Sequence, residues 1–298
     1  MDEKQNLNAS GVALLLMISL TLGVNQVVIK IVNDGLSPIF SAGLRSVGAA
    51  FVVWGWMRFR ALPITFRKGT IGLGVLIGVI FAIEFIFLFV ALDLTTVTRT
   101  SVIFYSMPVW MAIAAHFLLP GERLTRVKTV GLLLAFGGVA WAIMDRESAG
   151  GAASLVGDLF ALGGALAWMG VALVARMTRL SEVSSEMQMF WQVLVSGPIL
   201  LAVAPFYGPL IRDLQPIHLW GLAYQSIFVA AASFLIWFWL INRFKASAVA
   251  SFSFLSPVIG VAAGWLVLGE ALSPSLVLKL ALVAVGIVLI NRAPRLAA

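Results

Sequence analysis

Apolar residues run along this chain in ten long blocks separated by short polar punctuation. The blocks fall near 11–32, 38–58, 69–91, 97–119, 127–144, 155–176, 185–205, 217–241, 248–268 and 275–292. Each approaches the ~20 residues an α-helix needs to cross ~30 Å of hydrocarbon. None alternates with the period of two that marks a membrane barrel strand, and lipid cannot satisfy an open sheet edge. The pattern therefore predicts helices throughout. The turn chemistry agrees: Asn33-Asp34-Gly35, Ser37-Pro38, Gly150-Gly151 and Ser273-Pro274 all lie between blocks. Thr125 and Ser273 are placed to cap the fifth and tenth helices.

The punctuation repeats. Pro108, Gly121-Glu122 and Gly137-Gly138 in the first half are echoed by Pro257, Gly269-Glu270 and Gly286 in the second, about 148 residues later. From Glu to the second glycine is 16 residues in both copies, while Pro to Glu is 14 in one and 13 in the other. Fainter echoes link Gly11 with Gly157 and Lys30 with Arg176. The spacing predicts a duplicated chain, with five helices in 1–148 and five in 149–298. Five is odd, so the second half enters the membrane with the opposite sense. Inverted halves can exchange conformations and expose one site to each side in turn.

Composition sharpens this reading. Hydrophobic residues make up 61%, charged residues 11%, and the mean hydropathy is +1.03. A soluble domain carries roughly 25% charged residues, so the solvent here is lipid. The absence of cysteine excludes disulfides, thiolate metal sites and cysteine nucleophiles. The net charge of +7 would suggest nucleic acid in a soluble protein, but here it follows the span ends, and no nucleic-acid partner is expected. With the N-terminus inside, 14 of the 20 Lys and Arg fall on the cytoplasmic side, as the positive-inside rule requires. Both termini are then cytoplasmic, and the first span, which lacks a small-residue cleavage site, reads as an uncleaved anchor. Arg99 is assigned to an outer loop, and Arg45 and Lys279 are expected to snorkel from outer helix ends.

The paired motifs, together with Gly23, Asn25 and Lys30 of span one and Trp168, Gly170 and Arg176 of span six, resemble the drug/metabolite transporter superfamily of the EamA type. Within it the chain is most similar to the YddG-type exporters of aromatic and other amino acids. The resemblance covers essentially the whole chain and implies an all-α polytopic fold, with ten transmembrane helices as two inverted five-helix repeats around a central cavity. Spans one, three, four, six, eight and nine would surround that cavity. Leu22 departs from the tryptophan that many family members carry before the glycine.

Polar residues are expensive inside a bilayer and concentrate on the spans expected at the cavity. The candidate substrate-binding set is Asn25, Gln26, Glu84, Tyr105, Trp168, Tyr224, Gln225, Trp237 and Ser253. Each has a plainer reading: Glu84 as a packing residue, Asn25 and Gln26 as interhelical glue, Trp168 as packing. Pro108 and Pro257 interrupt helical spans and are candidate hinges, or packing features. His116 and His218 lie near span ends, where nothing catalytic is expected. The two Glu-bearing turns are expected to support the helix starts that follow them.

The expected function is secondary transport of small organic solutes, with amino-acid export across a bacterial-type cytoplasmic membrane by alternating access foremost. Glu84 with Asn25, Gln26 and Gln225 could meet the ammonium and carboxylate of such a solute. A carrier of sugar phosphates, nucleotide sugars or drug-like amines on the same fold is the alternative, although phosphorylated cargo would call for deep Lys or Arg. The chain offers no His-Glu-x-x-His pair and no acidic cluster, so an intramembrane enzyme is not expected. Neither metal nor cofactor is expected. The lipid bilayer and the solute are the partners, and a monomer is compatible with the sequence.

Overall fold

The computed structural model describes residues 8–64, 66, 69–119, 124–145, 154–244 and 255–291, with backbone alone at 235, 237, 238, 241 and 242. Gly121, Glu122, Gly150, Gly151 and Ser253 lie outside the described residues. The helices are α1 (Ala9–Gly35), α2 (Pro38–Phe59), α3 (Ile71–Leu94), α4 (Val97–Phe104), α5 (Met107–Leu118) and α6 (Arg126–Met144). They continue with α7 (Leu155–Met177), α8 (Ser185–Val203), α9 (Pro216–Tyr224), α10 (Ser233–Arg243), α11 (Leu255–Leu268) and α12 (Pro274–Asn291). Among the described residues, eight helical stretches are long and apolar enough to cross a membrane, and α11 is a shorter apolar helix.

Two spans depart from the regular helices that hydropathy predicts. The fourth breaks at Tyr105-Ser106, so that Pro108 falls in the first turn of α5 rather than inside a continuous helix. Its missing N–H costs nothing there. Ser106 fills the break: its hydroxyl donates to the Ile103 carbonyl and accepts from the Trp110 indole at 3.0 Å. The eighth span, between α9 and α10, passes through a π-helical segment, Gln225–Ala232. The Phe228 carbonyl there receives both the backbone N–H and the hydroxyl of Ser233, five residues on.

The chain forms two compact units, and each draws on both sequence halves. The first contains Met1–Val27, Thr95–Leu159 and Ile236–Ala298. In it α6 packs along α12, with Gly131 against Gly286 and Leu289, and Gly138 against the Lys279 carbonyl and Val283. Residue numbers rise on one helix as they fall on the other, so the pair is antiparallel. Helix α4 crosses α11 in the same sense, with Ser101 at Gly260 and Thr98 at Gly264. Small residues at these positions let helix backbones approach closely where lipid offers no hydrophobic drive to association.

The second unit contains Val28–Leu94 and Phe160–Leu235. Here α2 lies antiparallel to α8, with Gly43 against Leu201 and Gly197 against Val47. Helix α3 runs parallel to α8, Gly74 receiving the Trp191 ring and Gly78 receiving Val195. The π segment rests on α2, where the Ser226 hydroxyl donates to the Arg45 carbonyl at 3.3 Å. The three pairs α2/α8, α4/α11 and α6/α12 each join a helix to its counterpart in the sequence repeat. All three are antiparallel, as inverted halves require.

Candidate functional site

A buried polar group in lipid must find a partner, so the groups that have one and the groups that do not carry different information. In the first unit the partnered groups gather at the start of α4. The N–H groups of Val97 and Thr98 each donate to the Glu270 carboxylate at 2.7 Å, and the Arg99 N–H donates to the Thr96 hydroxyl. Three of the four orphan donors of a helix start are thereby met. Glu270 reaches them because Gly269, with φ +67°, ends α11 in the left-handed region. Gly264 also leaves room, since a Cβ there would lie 2.8 Å from the carboxylate. The Glu270 carboxylate thus supports α4 rather than the α12 that follows it, which corrects the dipole expectation for that turn; Glu122 of the other turn lies outside the described residues.

One turn further, Arg99 is buried within α4 rather than exposed in a loop. Its Nε donates to both Asp158 oxygens at 3.1 and 3.2 Å, and its Nη atoms reach Asp158 and the Ala142 and Asp145 carbonyls that end α6. Asp158 also accepts from the Thr95 hydroxyl at 3.3 Å. Lys279 is wholly buried as well and does not snorkel: its Nζ sits 2.6 Å from Asp145, which also accepts from Ser275. These charges find their counterparts in neighbouring helices instead of reaching for water.

The second unit has its own fastening. Arg212, in the loop before α9, pairs with Asp93 through two hydrogen bonds of 2.7 and 2.9 Å and also donates to the Asn33 carbonyl. These bonds to Asp93 raise the pKa of the Arg212 guanidinium above its ordinary value. Asn33 and Lys30 in turn cap the end of α3 through the Phe89 and Leu92 carbonyls.

The candidate solute-handling residues divide between the units. In the first, Gln26 accepts from Ser101 at 3.2 Å, yet its amide nitrogen, the Asn25 side-chain oxygen and the Thr100 hydroxyl have no partner among the described residues. All three are buried. Tyr105 is buried too, and its hydroxyl donates to the Leu22 carbonyl at 2.9 Å. In the second unit, Trp168 and Tyr224 are half-buried, and Gln225 opens the π segment with neither end of its amide partnered among the described residues. Glu84 is buried on α3, its Oε2 likewise without a partner among them. Trp237 lies in α10 with its side chain outside the described residues, and Ser253 is outside them entirely. Pro257 is the third described residue of α11.

Arg45 is the residue that sequence reading misplaced most. Its side chain is 6% exposed and stays inside the second unit, with the guanidinium 4.2 Å above the Phe85 ring and in electrostatic reach of Glu84. No hydrogen bond joins the two charges, and Arg45 Nε has no partner among the described residues. The signal was present: α2 carries one cation two turns from its start, and α3 carries one deep carboxylate.

Eight long apolar helices among the described residues, with antiparallel pairs and buried polar groups among them, are those of a polytopic membrane protein. Both halves, residues 9–144 and 155–292, match the EamA-like transporter family, and the chain belongs to it. The uncharacterized transporter YvbV of Bacillus subtilis is 32% identical over 196 residues, which span 64% of this chain and 62% of that protein. A "Probable amino-acid metabolite efflux pump" of Escherichia coli is 27% identical over 277 residues, 87% of each chain. Among the solved structures that match, a crystal structure aligns with a TM-score of 0.63 and 18% identity, covering 94% of this chain and 97% of the other; at that identity the likeness is one of fold.

Proposed function

We propose that the protein is a secondary transporter that exports small organic solutes, amino acids and their metabolites foremost, across a bacterial-type cytoplasmic membrane by alternating access. Both termini lie in the cytoplasm on this reading, which follows from the basic residues. The observation that carries the solute class is the orphaned set in the first unit. The Asn25 oxygen can accept from an ammonium, the Gln26 nitrogen can donate to a carboxylate, and the Thr100 hydroxyl can do either. The efflux-pump relative supports the same class. Antiparallel packing of counterpart helices supports the alternating exposure. A phosphorylated cargo fits less well, because Arg45 already faces the opposite charge of Glu84.

Purified protein in liposomes, preloaded with unlabelled amino acids, tests the assignment by uptake of labelled ones. Saturable uptake is expected, and Asn25→Ala and Gln26→Ala should each weaken it. Silence across all twenty amino acids with verified reconstitution would overturn the solute class.

A further inference from the structure

We propose that Arg45 and Glu84 form a proton-binding site inside the second unit, and that Glu84 takes up the proton whose passage drives solute export. The inference rests on the transporter reading and adds its coupling ion. Three observations carry it. Both side chains are buried, at 6% and 4% exposure, in a segment that crosses lipid. They attract one another, yet no hydrogen bond closes the pair, and Arg45 Nε and Glu84 Oε2 have no partner among the described residues. Arg45, moreover, does not depend on Glu84 alone. The Phe85 ring lies beneath its guanidinium at 4.2 Å and supports the cation when the carboxyl is neutral.

The second unit holds further buried polar atoms with no partner among the described residues, on Ser46 of α2, Ser196 of α8 and Gln225 of the π segment, all neutral. Arg45 is the charged group that acts on Glu84 among the described residues. The π segment is joined to Arg45 directly, through the Ser226 hydroxyl on the Arg45 carbonyl. π-helical turns within α-helices are frequently found at functional sites. The step is a plain proton transfer: the Glu84 carboxylate gains a proton from one aqueous side and releases it to the other, with no electron moved.

The test has one readout that needs no solute. Infrared difference spectra of the purified protein in lipid, titrated across pH, should show a buried carboxyl band that disappears in Glu84→Gln and returns, shifted, in Glu84→Asp. In liposomes carrying a trapped pH indicator, an imposed pH gradient should drive accumulation of labelled amino acids by the wild-type protein and by Glu84→Asp. Glu84→Gln, monodisperse on size exclusion, should not exceed the level without a gradient. Absence of a titrating carboxyl assigned to residue 84, or undiminished gradient-driven accumulation in Glu84→Gln, would overturn the proposal. If no amino acid is transported by any protein, the solute class fails while the infrared result still decides the proton site.

Discussion

Each compact unit buries one arginine beside one carboxylate, and the two pairs could hardly be more differently finished. In the first unit Arg99 and Asp158 are joined by several hydrogen bonds, and the remaining guanidinium donors meet the carbonyls that end α6. In the second, Arg45 and Glu84 face each other with no bond between them and with polar atoms to spare. Both pairs set a buried arginine near a buried carboxylate; what separates them is satisfaction. A buried ion pair with every group satisfied fixes helix ends in one arrangement, whereas an unclosed pair keeps a second charge state within reach.

The widest gap should appear on breaking the closed pair. Asp158→Ala strands a buried guanidinium and should destabilise the protein by about 3–5 kcal/mol, read as a lowered denaturation midpoint in mild detergent. A variant within about 1 kcal/mol of wild type would mean that water reaches Arg99. Next is the neighbouring cap. Glu270→Ala frees two N–H groups of α4 and should cost about 2 kcal/mol by the same measurement. Glu84→Gln should cost less, about 1–2 kcal/mol, because it breaks no hydrogen bond and leaves the Phe85 ring under Arg45. A loss as large as that of Asp158→Ala would make the second pair structural too and erase the contrast. Smallest is the exposed pair: Asp93→Ala should cost about 0–1 kcal/mol, shrinking further in high salt, because Arg212 and Asp93 are partly solvated.

These contrasts show where sequence reading stops. Several span limits were legible to within about three residues, since lipid imposes its own thickness: 38–58 was expected for α2 and Pro38–Phe59 is observed, and 11–32 for α1 against Ala9–Gly35. The break at Tyr105-Ser106 and the π segment were not, because hydropathy records how apolar a stretch is and not which carbonyl its N–H groups meet. Arg45 and Lys279 were misread for a related reason. In a membrane helix both the lipid and the protein interior are apolar, so the pattern does not tell which face is packed, and nearness to a span end suggested snorkelling. Glu270 was misread because dipole reasoning is local, while its partners lie on another helix. The amides of Asn25, Gln26 and Gln225 were picked out from their depth alone; that their atoms are orphaned could only be seen once neighbouring helices were in place.

The Glu270 cap also has a consequence for the birth of the protein. Val97 and its acceptor are separated by 173 residues of chain, so the start of α4 is synthesised long before the carboxylate that completes it. At about 5–20 residues per second the delay is roughly 10–35 s. Throughout that interval two backbone donors of α4 need water or the insertion machinery as a temporary host. The nascent first half is therefore a dependent of the second, and a chain interrupted between them would leave the ribosome as an unfinished helix start in search of an anion.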